Sequence, residues 1–269
     1  MIIYSRPPYP SVYYPYLLLS VADTSSERYV SPEARGIIID SGVFRVFHRD
    51  GRVEYPGGYR YWIDRAVSLW RYANSVVKNA YVTVPDYPAD YPHNPVPENT
   101  ERTLRNIEYA LSKYPDVKWL IPVQGRPDSV SSVVRFINTL KGHGLLRSDY
   151  VAVAPTCVVR SVDFLRRLAM VARAHLPNHR IHMFGVIRRA WSAVERYIYS
   201  TDTITYNFYC YELFKRKCQT TREHLIGWVL FLMELRDRGY LGAEDFDLSI
   251  ESVMRLGLSD SEIRKLLSL

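Results

Sequence analysis

The chain has 269 residues, of which 47% are apolar, with a formal net charge of +7 and a pI near 9.2. That length and apolar content can bury a large core in one or two domains, and no apolar stretch reaches the ~20 residues that span a bilayer, which excludes a helical membrane protein. The basic balance favours a polyanionic partner, nucleic acid foremost, without requiring one.

The opening segment, Met1 to Pro10, lacks the charged-then-apolar pattern of a secretory signal. Three cysteines, Cys157, Cys210 and Cys218, are too few and too scattered for a disulfide framework, so a cytoplasmic location is expected. The 22 tyrosines suit either stacking surfaces or the filling of core and rim.

In chain order, Ile2–Tyr4 and Tyr16–Val21 read as two short strands. Arg35–Ile39 follows, and then Arg60–Asn79, where Trp62, Ile63, Ala66, Val67, Trp70, Ala73 and Val77 recur at helical spacing. Strand-like Ala80–Pro85, Lys118–Val123, Tyr150–Ala154 and Arg180–Gly185 alternate with helical Thr100–Tyr114, Asp128–Leu140 and Val162–His175. The strands are short and rich in Val and Ile with little alternation, as strands buried on both faces are.

Thr203–Phe208 reads as the last strand. Thr220 and Glu223 stand in capping-box spacing before a helix that runs to about Arg238. The tail 246–269, with Ser259 and Glu262 in the same spacing, reads as one or two helices packed on a main domain of residues 1–245.

Strand and helix in repeated alternation define a parallel sheet. A barrel and a doubly wound sheet both satisfy it, but no Gly-rich phosphate loop follows the first strand, which weighs against the latter. The expected architecture is a (β/α)8 barrel with a small C-terminal helical extension.

In such a barrel the active site lies where the strands end. Asp40 and Ser41 follow the first clear strand, Asp86 the second, Gln124 and Gly125 the third and Ala154 the fourth, while Phe184 ends the fifth and Asp202 sits just before the last. Two carboxylates flanking a sugar suit displacement at an anomeric carbon, one attacking and the other managing a proton. A further Asp and a Gln suit a purine edge, and Phe44 and Phe184 could sandwich the base.

Any one of these aspartates could instead cap a helix or close a turn. Arg45, Arg126, Arg160, Arg188 and Arg189 lie beyond strand ends, hence on the same face. They are a solvated rim or a seat for a phosphate backbone.

The run Ile39–Phe47 (IDSGVFRVF) resembles the DSGG-aromatic-Q-V-F motif of the tRNA-guanine transglycosylase family. Ile121–Gly125 (IPVQG) is similar to its glutamine loop, Tyr150–Pro155 to its YAIGG strand and His182–Val186 (HMFGV) to its LMGVG-like segment. Thr201–Tyr206 (TDTITY) resembles the FDSASY-like stretch carrying the nucleophile, and His224–Arg236 its late helix. The matches keep family order from Ile37 to Arg236. Val43 stands where the first motif has its second glycine, and Arg45 where it has glutamine.

The resemblance implies an enzyme that exchanges guanine in a nucleic acid, tRNA or DNA, for a 7-deazaguanine derivative. Asp202 would be the nucleophile on the ribose and Asp40 the general acid/base. Asp86, Gln124, Gly125 and the Ala154 backbone would read the base while Phe44 and Phe184 stack on it. No organic cofactor is implied.

The family's structural zinc would fall on Cys210, Cys218 and His224, one ligand short of the usual four, with Glu212 or His182 as conceivable fourth. The family links that site to dimer formation, which leaves a homodimer open. No counterpart of the RNA-binding domains appended in the family's archaeal members is expected from these residues, so the barrel face or a partner would grip the polymer. Two other readings stand beside this one: a catalytically degenerate barrel that only binds nucleic acid or pairs with an active subunit, and a glycoside-type hydrolase that uses the same aspartates with water.

Overall fold

A computed structural model describes residues 1–46, 53–88, 96–203 and 206–267. The motif positions Phe47, Ile204 and Thr205 lie outside the described residues.

Eight strands close into a barrel in sequence order, every pair parallel: β1 (Ile2–Ser5), β2 (Tyr16–Ser20), β3 (Gly36–Asp40), β4 (Ala80–Thr83), β5 (Trp119–Val123), β6 (Tyr150–Val153), β7 (Arg180–Met183) and β8 (Ser200–Thr203). Helices α1 (Gly58–Val76), α2 (Val96–Lys113), α3 (Val130–Gly142), α4 (Val162–His175) and the short α5 (Trp191–Val194) make the crossovers from β3 to β8. After β8 come α6 (Tyr206–Phe214), α7 (Thr221–Asp237), α8 (Ala243–Met254) and α9 (Asp260–Leu267). The chain is therefore a (β/α)8 barrel with a C-terminal helical extension.

The side-chain period of two sorts each strand into an outer and an inner face. On β3, Ile37 and Ile39 join the layer between barrel and helices, while Ile38 joins the barrel interior. The interior below the mouth is packed with Tyr4, Ile38, Tyr81, Leu120, Tyr150 and Ala152. At its foot the Arg180 guanidinium lies 4.8, 4.7 and 5.3 Å from the ring centres of Tyr81, Tyr150 and Tyr199 and pairs with Asp149. Those contacts fall in cation–π range.

The last strand differs from the sequence expectation. It is Ser200–Thr203, not Thr203–Phe208, and Tyr206 onward is helical. Ser200 and Asp202 face the barrel interior, so β8 shows no apolar run for a pattern to catch. β8 pairs with β1 in the register Tyr4↔Asp202, which closes the barrel and puts Asp202 at its mouth instead of before the strand.

The capping box is formed as the spacing predicts, with Thr220 accepting from the Glu223 N–H and Glu223 accepting from the Thr220 N–H. α7 then buries Trp228 and Phe231 against Tyr14, whose hydroxyl donates to the Ile3 carbonyl on β1. α8 is tied back by Asp245, which accepts from the Tyr13 hydroxyl at 2.8 Å and pairs with Arg35 at 3.0 Å.

Trp228 is fully buried between Tyr14 and Tyr206. Trp228→Ala should lower the unfolding free energy by about 3–5 kcal/mol, as large-to-small changes of buried aromatics do. Urea denaturation followed by circular dichroism measures it.

Candidate active site

At the C-terminal ends of the strands lies a pocket of about 780 Å³, a volume suited to a small ligand. Successive strand ends supply its wall: Asp40 from β3, Asp86 after β4, Gln124 after β5, Ala154 after β6, Phe184 after β7 and Asp202 from β8.

Asp86 is 4% exposed, and its two carboxylate oxygens accept from different neighbours. The Ser41 hydroxyl donates to Oδ1 at 3.1 Å and the Gln124 amide donates to Oδ2. Gln124 Oε1 is buried with no hydrogen-bond partner among the described residues, an acceptor left for something that enters the pocket.

The loop carrying Asp86 is held by polar residues of α2. The Asn99, Thr103 and Asn106 side chains are all buried and bond the Pro88 carbonyl, the Tyr87 N–H and the Pro85 carbonyl. From the other side, the Tyr55 hydroxyl donates to the Asp86 carbonyl at 2.6 Å and the Trp62 indole to the Ser41 carbonyl at 2.8 Å. These residues satisfy backbone groups that a buried loop would otherwise leave unpaired.

Asp40 accepts from the Gly42 N–H at 2.8 Å. Gly42 has φ of +74°, and a Cβ there would sit 2.6 Å from Ala22 Cβ, so the turn needs glycine. Burial pushes the Asp40 carboxyl up to about 6, and the nearby Asp202 charge adds to the rise against the two backbone donors.

Asp202 is held through one oxygen. Oδ1 accepts from the Gly185 N–H at 2.9 Å and from His182 Nε2 at 3.0 Å. Gly185 has φ of +55°, which turns its N–H into the barrel, and a Cβ there would meet Cys157 Cβ at 2.9 Å. His182 is fully buried on the inner face of β7, and its Nδ1 lies 2.7 Å from Ser200 Oγ.

Sequence reasoning placed His182 only as a conceivable zinc ligand. The structure puts it in the barrel interior, and the signal was its position two residues before Phe184 on an inward-facing register. Ser200 and the pocket-lining Leu18 and Phe208 were likewise missed, whereas Val43 lines the pocket as its place in the first motif suggested.

Phe44 and Phe184 both line the pocket, and Phe44 is 48% exposed. Arg160, Arg188 and Arg189 line it too. Arg188 is paired with Glu234 at 3.1 Å, whereas Arg160 and Arg189 have no carboxylate partner among the described residues.

Three expected residues lie off the pocket wall. Arg45 is exposed, and Arg126 is exposed and paired with Asp128 at 3.0 Å. Gly125 faces α3, where a Cβ would meet Val133 Cγ2 at 2.3 Å. Its part is the close packing of helix on strand.

Cys210, Cys218 and His224 converge as the resemblance implies, their ligand atoms within 4.8 Å of one another. The two sulfurs, however, form a disulfide, a bond not foreseen by reading the cysteines as too few and too scattered for a disulfide framework. α6 ends at Phe214 and the chain doubles back into α7, bringing Cys218 beside Cys210. Joined sulfurs are not thiolates, so the trio as it stands does not fit zinc. Neither Glu212, which faces Arg188, nor His182 completes it. Among the described residues, no helix is long and apolar enough to cross a membrane.

No family model and no curated protein matches the chain. Among solved structures it is similar to QR15, an aldolase (12% identity over 70% of this chain and 87% of that one, TM-score 0.39). It is also similar to a catalytic lysine mutant of Ruminococcus gnavus sialic acid aldolase (11% identity over 99% and 96%, TM-score 0.44). A third is the carboxyl transferase domain of Rhizobium etli pyruvate carboxylase with pyruvate (11% identity over 98% and 46%, TM-score 0.39). Likenesses this low add nothing to the barrel that the strand pairing already defines.

Two outcomes follow from this geometry. Asp40 binds its proton more tightly folded than unfolded, so between about pH 4 and 6 stability should fall as pH rises, then level off. Asp40→Asn removes that penalty and should stabilise the protein at pH 7 by up to about 3 kcal/mol, with little gain at pH 4. Paired urea titrations at the two pH values check it. Separately, protein unfolded without reductant should show one reactive thiol per chain, Cys157, and three after reduction, by thiol titration.

Proposed function

We propose that this chain is a base-exchange transglycosylase that replaces guanine in a nucleic acid, tRNA or DNA, by a 7-deazaguanine derivative. The observation that carries the reading is a pair of pocket aspartates in unlike settings. Asp40 is pushed up to about 6, and Asp202 has one oxygen held by two donors and the other without a hydrogen-bond partner among the described residues. A carboxyl near 6 exchanges its proton readily at neutral pH, as a general acid/base must.

In the first step Asp202 attacks the sugar C1′. The C1′–N9 bond breaks as a C1′–O bond forms, and the departing guanine takes the proton from Asp40. In the second, the incoming base gives its N9 proton to Asp40 as N9 attacks C1′, and the ester bond breaks to return Asp202 as a carboxylate. No water is consumed and no redox change occurs.

Asp86 and the unpartnered Gln124 Oε1 are two acceptors, matched to the adjacent N–H donors on the guanine edge. Gln124 already donates to Asp86, so using that same N–H to read a base carbonyl would require the pair to part. Phe44 and Phe184 offer faces for the ring, and Arg160 and Arg189, which line the same pocket, would supply positive charge for phosphates. Schiff-base chemistry would need a lysine, and none lines the pocket among the described residues.

The test is incubation with radiolabelled guanine and, separately, bulk tRNA and double-stranded DNA, scored for label in polymer. Label should enter one polymer, and Asp202→Asn should cut incorporation by at least about 1000-fold, as loss of a nucleophile does. Guanine release without incorporation would identify a hydrolase instead. Neither release nor incorporation, from folded protein that still binds the polymer, would leave the binding-only reading.

A further inference from the structure

The barrel interior contains a chain of polar groups that base exchange as written above does not use. His182 Nδ1 lies 2.7 Å from Ser200 Oγ, and that oxygen is hydrogen-bonded to the Tyr150 hydroxyl. His182, Ser200 and Tyr150 all have no exposed surface. The imidazole is wedged edge-on between Phe184 at 5.1 Å, Tyr4 at 6.2 Å and Tyr150 at 6.4 Å between ring centres, so it cannot swing away. A histidine put there only to fill space would need none of these bonds, and an apolar side chain would fill it without desolvating two ring nitrogens.

We propose that His182 is a positioning residue that, together with the Gly185 N–H, pins Asp202 Oδ1 so that Oδ2 alone faces the sugar. The proposal rests on the base-exchange reading for the sugar and on geometry alone for the pinning. A carboxylate oxygen can only accept, so the bond to Oδ1 requires the proton to be on Nε2. With that proton on Nε2, Nδ1 is the ring nitrogen left to accept from the Ser200 hydroxyl, and Ser200 Oγ accepts from Tyr150. Burial pushes the Tyr150 phenol well above its ordinary value, which keeps it a donor. Every proton in the chain thus points towards Asp202, and the serine and tyrosine set the tautomer.

Oδ2 has no hydrogen-bond partner among the described residues, so it keeps its lone pairs for attack. With Oδ1 fixed by two donors the carboxylate cannot rotate to exchange its oxygens, which sets the line of approach to C1′. The same donors gain strength when the ester breaks and charge returns to Asp202. His182 therefore acts on the rate of chemistry and not on base affinity.

The experiment compares His182→Gln, which keeps a donor where Nε2 stands, with His182→Leu, which keeps bulk but no donor, and Ser200→Ala, which removes the tautomer anchor. In the guanine-incorporation assay, His182→Leu should lose about 100-fold in kcat, the scale of a misplaced reacting group, with KM for guanine little changed. His182→Gln should recover most of that loss. Nitrogen-15 NMR of the imidazole in wild type should show protonated Nε2 and an unprotonated, hydrogen-bonded Nδ1, and Ser200→Ala should disturb the Nδ1 resonance.

Wild-type kcat in His182→Leu, an equal loss in His182→Gln and His182→Leu, or a proton on Nδ1 with none on Nε2 would each overturn the proposal. If wild type incorporates no guanine while the NMR shows the stated tautomer, the base-exchange reading falls and the pinning of Asp202 stands. Should His182→Leu fail to fold, Ser200→Ala and the NMR carry the test.

Discussion

The structure depends on one strand pair, β1 against β8. These strands lie at opposite ends of the barrel sequence, and the Ser5 hydroxyl donates to the Thr203 carbonyl across 198 residues. Bringing such distant segments together costs loop-closure entropy that only later contacts offset. Once the pair forms, Tyr4 stands opposite Asp202, and the inward face of β8 is fixed by the same alternation that points Asp40 inward from β3. A one-residue slip of β8 would carry Asp202 out of the mouth and Thr201 into it. The pairing register and the catalytic geometry proposed here are thus a single constraint.

That constraint also explains what could be read from the chain and what could not. The outer faces of the strands are apolar because helices cover them, and residues such as Ile37, Ile39, Val151 and Val153 announce them. Strand-end positions could then be counted, and Asp40, Asp86, Gln124, Ala154 and Phe184 were legible as neighbours without contact information. β8 was misjudged because its inner residues are Ser200 and Asp202, so the aromatic stretch beginning at Tyr206 looked more like a strand than the strand did.

His182 was hidden for a related reason. A polar residue in a short apolar segment has no pattern of its own, and its meaning comes from Ser200 and Asp202 on the neighbouring strand. The buried Asn99, Thr103 and Asn106 of α2 were invisible likewise, since their partners are backbone groups of a loop. The pairing of Cys210 with Cys218 required knowing that the chain reverses between α6 and α7. Disulfides are uncommon in cytosolic proteins outside hyperthermophiles, so this one weighs against the cysteine argument for compartment.

The floor of the barrel has a bearing on the order of events. Tyr81, Tyr150 and Tyr199 close around Arg180 beneath the pocket, so among the described residues the packed interior leaves no passage for a ligand towards the N-terminal end of the strands. Entry and exit share one doorway. Under the base-exchange proposal this would act as traffic control: the outgoing purine would have to vacate the chamber before its replacement could dock, while the polymer would stay tethered across the threshold. Ping-pong order would then be imposed by architecture, with no need for a gate to enforce it.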